Sequence, residues 1–352
     1  MEIEALEKRA IDSEEIFTMI ITRTPFRMSF FGGGTDMAEF YEEYGGAVLS
    51  TTFDKYCYVN VRHLPPFFDY RTHLTYSQKE TVNSVDEIKH PLIRESMRYL
   101  DIRQIRLMYD ADLPARTGLG TSSSFAVGML NAFYALKGKQ VDKKRLADDA
   151  VYLERVMCKE AGGIQDQIAA SFGGLNRIDM DRYGYTVKPV VISNQRKQDL
   201  NARLMLFFTG FTRFSADIQK KTSQSMPEKI RQLKAMKDMV AQAEGILISK
   251  GDLGDFGRLL DQSWRLKRGL SDGISTGAID EVYEAALKAG ALGGKLLGAG
   301  GGGFLLFYVE PERQAAVRAA LADLLYVPFQ FENSGTTVVH YTAEDYELEE
   351  ER

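Results

Sequence analysis

Cysteine is nearly absent: the 352 residues hold two, Cys57 and Cys158, far apart and outside any CxxC spacing. That excludes a disulfide framework and a zinc knuckle, and both are read as small buried side chains. Histidine is scarce too. His63, His73, His90 and His340 show no HExxH or paired-ligand spacing, so they are read as structural. No stretch approaches the roughly 18 apolar residues of a membrane span, and "MEIEALEKRAIDSEEIFTMI" lacks the charged-then-apolar order of a signal peptide. A cytoplasmic location without a membrane partner is expected. Positive charge is not in excess: 44 Lys and Arg stand against 49 Asp and Glu, a net charge of -5. No basic stripe is available for a phosphate backbone, so nucleic acid is not an expected partner. Fixed-period repeats and low-complexity tracts are missing as well.

What is present suits a globular protein with a sizeable core: 44% hydrophobic residues over a length typical of two domains. Residues 1–18 read as a polar leader and 343–352 as an acidic tail, both solvated. Alternation predicts strands at Tyr56–Val61, Ile105–Tyr109, Leu204–Phe208, Phe304–Val309 and Thr336–Tyr341. Phe125, Met129, Phe133 and Leu136 recur at helical spacing up to a capping Gly138, and Leu146, Ala150, Leu153 and Met157 do so after Asp142 as N-cap. Further helices are expected around 227–249, 276–289 and 312–325. The polar stretch "SNQRKQDLNA" sets a boundary near Asn194–Asn201, dividing the chain into domains at 19–197 and 198–342. Strands and helices mixed in this order predict an α+β sandwich.

Two glycine-rich stretches point to a ligand. In "ARTGLGTSSSFAVGMLNAF" (Ala115–Phe133), Pro114 biases Leu113 away from helix, and Gly118 and Gly120 allow conformations and close approaches that a side chain blocks. The helix that follows presents unpaired amides and the positive end of its dipole, a ready anion site without a GK[ST] lysine. The plainer reading is a capped helix after a flexible turn. In "GGKLLGAGGGGFLLFYV" (Gly293–Val309), Gly298, Gly300 and Gly303 spell G-x-G-x-x-G. A helix is expected before these glycines and a strand after them, so the dinucleotide fingerprint fails its context. Six residues in which only Ala299 has a side chain suggest backbone packed closely on a ligand. In "LERVMCKEAGGIQDQIAA", Glu154 lies on a helix and Asp166 in the first turn of the next. A serine plus Glu154 would suffice for a magnesium ion that also takes substrate phosphates and water, and Asp166 could accept a proton from a substrate hydroxyl. Taken singly, each has a bland reading, a solvated helical Glu and a helix cap.

Taken in order, "TPFRMSFFGGGTD", "LPARTGLGTSSS", "LERVMCKEAGGIQDQ" and "KLLGAGGGGF" resemble the GHMP kinase superfamily of galactokinase, homoserine kinase, mevalonate kinase and phosphomevalonate kinase, over roughly residues 20–342. The resemblance implies an α+β, two-domain GHMP kinase fold: an N-terminal domain like ribosomal protein S5 domain 2 and a ferredoxin-like C-terminal domain, with ATP and Mg2+ in the cleft between them. It places Pro114, Gly118, Leu119, Gly120, Thr121, Ser122 and Ser123 on the nucleotide, and Ser122 and Glu154 on the metal. It makes Asp166 the catalytic aspartate, with Arg27 beside it. Phosphoryl transfer needs positioning and charge neutralisation more than covalent chemistry, which agrees with both roles.

On the substrate side the resemblance implies Gly33, Gly34, Thr35, Asp36, Gly163, Gly300 and Gly301. The "TD" of "GGGTD" is similar to the pair that follows the first motif in sugar-binding members, which favours a sugar; the "GEHTD" of galactokinase is not matched, which tells against galactose. The patterns "TRTPFRMSFFGGGTDMAEFY", "FFTGFTRFSADI" and "SWRLKRGLS" are most similar to the branch that phosphorylates heptose 7-phosphate at its anomeric hydroxyl, toward nucleotide-activated heptose for surface polysaccharide. Such an acceptor, a small-molecule sugar phosphate, should meet a basic residue at its far end, and Arg213, Lys267 and Arg268 are the candidates. The alternatives are another sugar 1-kinase of the L-fucokinase kind, or a silent sugar and ATP sensor on the same fold. A homodimer is left open.

Overall fold

The computed structural model describes residues 19–342 apart from 66, 116, 211–214 and 272, and no side chains within 211–228. The expected leader, the acidic tail and Arg213 lie outside the described residues. β1 (Ile20–Phe31) pairs antiparallel with β2 (Gly46–His63) across the short helix α1 (Ala38–Tyr44). The hairpin β3 (Thr72–Thr75) and β4 (Lys79–Val82) follows, then α2 (Pro91–Leu100) and β5 (Ile105–Ala111). Next come α3 (Thr121–Leu136), α4 (Lys143–Tyr152) and α5 (Gln165–Phe172), and the hairpin β6 (Asn176–Asp181) and β7 (Gly184–Pro189). Asp142 caps α4 as expected, accepting from the Arg145 amide at 2.7 Å.

The rest is α6 (Asn194–Ala202), β8 (Leu204–Phe208), α7 (Ser215–Ile248), α8 (Gly254–Arg268), α9 (Gly277–Ala289), β9 (Ala291–Leu296), β10 (Phe304–Val309), α10 (Gln314–Ala320), β11 (Leu325–Val327), β12 (Phe331–Glu332) and β13 (Thr337–His340). The first sheet runs β13-β1-β2-β5-β3-β4, with β12 and β6 also on β2 and β7 on β6; only the β3–β5 pairing is parallel. The second runs β11-β8-β10-β9, antiparallel throughout, the strand order and β-α-β-β-α-β succession of a ferredoxin-like unit.

Three sequence expectations change here. The polar stretch expected as a boundary is helix α6, capped by Ser193, whose hydroxyl accepts from the Arg196 amide. It buries only Leu200 and Asn201, so it carries no apolar periodicity to read. The segment before the second glycine run is strand β9 and not helix. The Rossmann context still fails, because β10 follows where a helix would have to. Finally β12 and β13 lie in the first sheet, Ile21 opposite His340 and Phe53 opposite Phe331, so the chain past 330 returns across the expected boundary.

Strand composition explains the layering. In "FLLFYV" all six residues are buried because the strand is covered on both faces. Phe304, Leu306 and Tyr308 enter a core shared with Phe26, Phe30 and Leu49 of the first sheet, while Leu305, Phe307 and Val309 enter a second core with Trp264 and Tyr283. Burial of each such side chain contributes about 1.5–3 kcal/mol. The first of these cores is continuous between the sheets and fixes how they face each other. Helix α3 is apolar nearly all round and lies directly on β1, where Thr22 Oγ1 donates to Gly128 O at 2.8 Å. A Cβ at Gly128 would stand 2.6 Å from Thr24 Oγ1, so only glycine allows that approach.

Candidate active site

Two glycine turns touch where the sheets meet. Gly118 and Gly120 take φ of +82° and +72°, left-handed values that suit glycine, and turn the chain into α3. A Cβ on Gly298 would stand 2.2 Å from Gly118 Cα, and one on Gly303 2.2 Å from Thr117 O. The second glycine run is therefore explained first by backbone lying on the first turn's backbone, in place of the packing on a ligand expected from sequence. Only Gly298 and Ala299 of this run line the cavity described below. Gly300 abuts Ile274, and the Gly301 amide donates to Ile274 O at 3.0 Å. The Gly298→Ala variant should lose about 2–5 kcal/mol of stability, from left-handed strain plus overpacking. Gly138→Ala, left-handed but with nothing within 4 Å, should lose about 1–2 kcal/mol. Urea unfolding midpoints compare them, and equal losses would contradict the close-packing account.

The first helical bond of α3 runs from Ser124 N to Gly120 O, and no side chain caps the helix, so its leading amides face the turn. Ser122 is exposed there, whereas Thr121 and Ser123 are buried. Leu119 is fully buried and offers only backbone; Pro114 lies exposed at the turn's entry, its carbonyl accepting from Thr117 Oγ1. Ser122 Oγ donates to Glu154 Oε1 at 3.1 Å and Ser123 Oγ to Oε2 at 2.7 Å, while Gln167 Nε2 donates to the same Oε2. Glu154 sits on a π-helical turn, Leu153–Met157, that continues α4, a distortion frequent at functional sites. It is 1% exposed and its described partners are neutral donors, so its charge has no cation beside it. That donor set fits Mg2+. No three His, Cys, Asp or Glu side chains gather among the described residues, so such an ion would draw further ligands from phosphates and water.

Asp166 stands in the first turn of α5 facing Arg27 of β1. Arg27 Nε and Nη2 donate to its two carboxylate oxygens at 2.7 and 2.9 Å, and Nη1 donates to Gly118 O at 2.8 Å. The guanidinium thus joins the carboxylate to the glycine turn, and a Cβ at Gly120 would lie 3.3 Å from the Asp166 carboxyl. Gln165, the preceding residue, donates through Nε2 to Asp36 Oδ2 at 2.9 Å, and the Gly34 amide donates to Asp36 Oδ1 at 2.9 Å. Three consecutive side chains of one turn, 165 to 167, thereby reach Asp36, Arg27 and Glu154. Gly163 must be glycine, since its Cβ would fall 1.9 Å from Asp36 Oδ2.

A cavity opens between these groups and the second sheet. Gly33, Gly34, Asp36, Gly163, Asp166, Arg27 and Lys267 line it, which brings together seven of the residues singled out from the sequence. Thr35 does not. It is fully buried, donating to Gly32 O and Ala47 O, and holds the turn that aims Asp36. Arg268 is turned away and pairs with Asp280 at 2.8 Å. Ser29, Arg155, Gln165 and Lys295 also line the cavity and carried no sequence signal. Lys295 Nζ donates to Ser29 O and Phe30 O at 2.6 and 2.8 Å, pinning β9 to β1, and Lys267 Nζ donates to Gly298 O.

Asp36, Lys267 and Lys295 are buried in the cavity wall, and the charged groups there feel one another. Burial, then the nearby Asp166 charge, pushes the Asp36 carboxyl up. Burial and Arg27 pull Lys267 down to about 8, against the opposing pull of Asp36 and Asp166. Burial, Lys267 and Arg27 hold Lys295 well below the usual lysine range. Two arginines and two lysines, Arg27, Arg155, Lys267 and Lys295, line the cavity together with Asp36 and Asp166. Of the remaining polar minority residues, Cys57 is buried as expected and Cys158 only half-buried. No helix among the described residues is long and apolar enough to cross a membrane.

Both halves of the chain are similar to known kinases. Residues 86–174 match the GHMP kinases N terminal domain and 242–327 the GHMP kinases C terminal domain. The chain is 30% identical over 316 residues to the D-glycero-alpha-D-manno-heptose 7-phosphate kinase of Campylobacter jejuni, covering 86% of this chain and 93% of that protein. It is 31% identical over 218 residues to the L-fucokinase/L-fucose-1-P guanylyltransferase of Bacteroides fragilis, 59% of this chain and 22% of that protein. The crystal structure of a D-glycero-D-manno-heptose 1-phosphate kinase from Bacteroides thetaiotaomicron superposes with a TM-score of 0.75 at 26% identity, over 92% of this chain and all of that one.

Proposed function

The chain belongs to the GHMP kinases, and from that premise we propose that it transfers the terminal phosphoryl group of ATP to the anomeric hydroxyl of D-glycero-D-manno-heptose 7-phosphate, giving the 1,7-bisphosphate. The carrying observation is that Asp166, held by Arg27 beside the glycine turn, shares one cavity with Asp36 and with the basic side chains Arg155, Lys267 and Lys295. A phosphate on the acceptor would find basic side chains in this cavity beyond Arg27, which already pairs with Asp166, and a neutral sugar would leave them unused.

In this reading the amides from Gly118 to Ser123 cradle the nucleotide phosphates, and Asp166 and Asp36 face the sugar. Asp166 accepts the proton of the anomeric hydroxyl as its oxygen bonds to the γ-phosphorus. The bond from that phosphorus to the β–γ bridging oxygen breaks, and its electron pair leaves with ADP. A carboxylate is a weak base, and an anomeric hydroxyl suits it, being more acidic than an ordinary alcohol. Arg27, fixed on both Asp166 and Gly118 O, orients the carboxylate and faces the charge that develops on the transferring group. Mg2+, held by Ser122 and Glu154, would neutralise charge on the phosphates. Asp36 already accepts from Gly34 and Gln165 and keeps lone pairs for sugar hydroxyls.

ADP release measured with heptose 7-phosphate, unphosphorylated heptose and L-fucose tests this. Charge-assisted bonds to the phosphate are each worth about 1.5–3 kcal/mol, so kcat/KM should favour the phosphorylated sugar by about 10- to 150-fold or more. Equal turnover of a neutral sugar would overturn the reading in favour of an L-fucokinase-like 1-kinase, which the similarity to the Bacteroides fragilis enzyme supports.

A further inference from the structure

We propose that Arg155 binds the substrate's own phosphate and is the residue that selects a phosphorylated sugar over a neutral one. This deepens the heptose-phosphate reading and rests on it. Four basic side chains line the cavity, and three of them already bond to the protein around the glycine turns and β1. Arg27 spends its Nε, Nη1 and Nη2 on Asp166 and Gly118 O. Lys267 Nζ is on Gly298 O, and Lys295 Nζ on Ser29 O and Phe30 O. Arg155 differs: Nη1 donates to Glu160 O and Ala161 O at 3.0 and 3.1 Å, while its Nε–H is buried and meets no acceptor among the described residues. A buried donor left without an acceptor is costly, and a small shift of the Arg155 side chain toward the cavity would let a phosphate oxygen satisfy it.

Position separates the cations as well. Lys267 and Lys295 sit in the charge cluster of Arg27 and Asp36, and Lys267 also feels Asp166, so they belong to the end where the hydroxyl reacts. Arg155 comes from the π-helical turn, and the carboxylate that feels it is Glu160, outside the cavity lining. In a 7-phosphate the phosphate hangs on the exocyclic chain, several bonds from the anomeric oxygen, so a basic group apart from those at the reacting hydroxyl can meet it. Successive residues of a helix diverge by roughly a quarter turn, so Glu154 can face the serines of α3 while Arg155 faces the sugar. The planar fork of a guanidinium matches a phosphate with two parallel bonds, and the two carbonyls at Nη1 hold the fork in place beforehand.

The test compares kcat/KM for heptose 7-phosphate with kcat/KM for unphosphorylated heptose, as a ratio within each of the wild type, Arg155→Lys and Arg155→Met. Taking the ratio within one preparation cancels any difference in folded fraction. Arg155→Met should lose about 10- to 150-fold of the wild-type preference, mainly through KM for the phosphorylated sugar, and Arg155→Lys part of it. A wild-type preference that Arg155→Met keeps whole would overturn the role of Arg155 and leave the heptose-phosphate reading standing. No preference in the wild type would overturn that reading itself. Should both variants fail to fold, phenylglyoxal labelling of the wild-type protein decides: heptose 7-phosphate should protect Arg155 and heptose should not, and equal labelling would sink the proposal.

Discussion

Replacing Asp166 with asparagine should lower kcat by about 10²- to 10⁴-fold, the range for losing a positioned general base, with nucleotide affinity nearly unchanged. Asparagine keeps the shape and one acceptor for Arg27, which matters because Arg27 is only 4% exposed and a buried guanidinium without a partner destabilises its surroundings. The loss should therefore be one of chemistry and not of fold. Since Arg27 and Asp166 share two bonds, the Arg27→Met and Asp166→Asn effects should not add, and the double variant should be little worse than the more damaged single one. Steady-state kinetics and nucleotide titration on the four proteins read this out. Unchanged turnover in Asp166→Asn would remove the carboxylate from the mechanism, and full additivity would mean the pair does not act as a unit.

The Glu154→Gln variant should raise the Mg2+ concentration for half-maximal activity by at least about 10- to 100-fold, the loss seen when even outer-shell partners of a metal are removed. The same change should leave the folded protein as stable or more so. Glu154 is buried among Ser122, Ser123 and Gln167, none of which carries charge, so glutamine removes a desolvated carboxylate without stranding a cation. Calorimetric titration of Mn2+ into the ADP complex, alongside thermal melts, separates the two effects. An unaltered metal titration would count against Glu154 as a ligand, and a large fall in melting temperature would mean that its role is structural.

What was legible in the sequence was local. Glycines at 118 and 120 turn the chain, the serines open a helix, and Asp142 caps one, so each can be read from its neighbours along the chain, whereas Gly163 owes its identity to the distant Asp36. Glu154 and Asp166 were legible through family resemblance, since as isolated residues a helical glutamate and an aspartate near a helix start say little. What stayed hidden depends on tertiary neighbours. Lys295 looks like any strand lysine until β9 is laid against β1, and Arg155 like any helical arginine until the cavity is closed around it. Strand β9 was obscured by Gly293 and Gly294, which weaken a strand pattern. Gly293 is there because α8 crosses it so closely that a Cβ would lie 2.0 Å from Gly257 O. Thr35 shows the opposite error: a motif partner of Asp36 that serves the turn and not the ligand.

The return of the chain into the first sheet bears on how the protein is made. β1 receives its outer neighbour only when residues 337–340 have been synthesised, and their partners are Ile21 to Arg23. At about 5–20 residues per second the ribosome takes from a quarter of a minute to a minute to cover that interval. Throughout it the flank of β1 has no native strand to accept its backbone bonds, so the earliest part of the molecule is completed last and presents an open sheet edge until then.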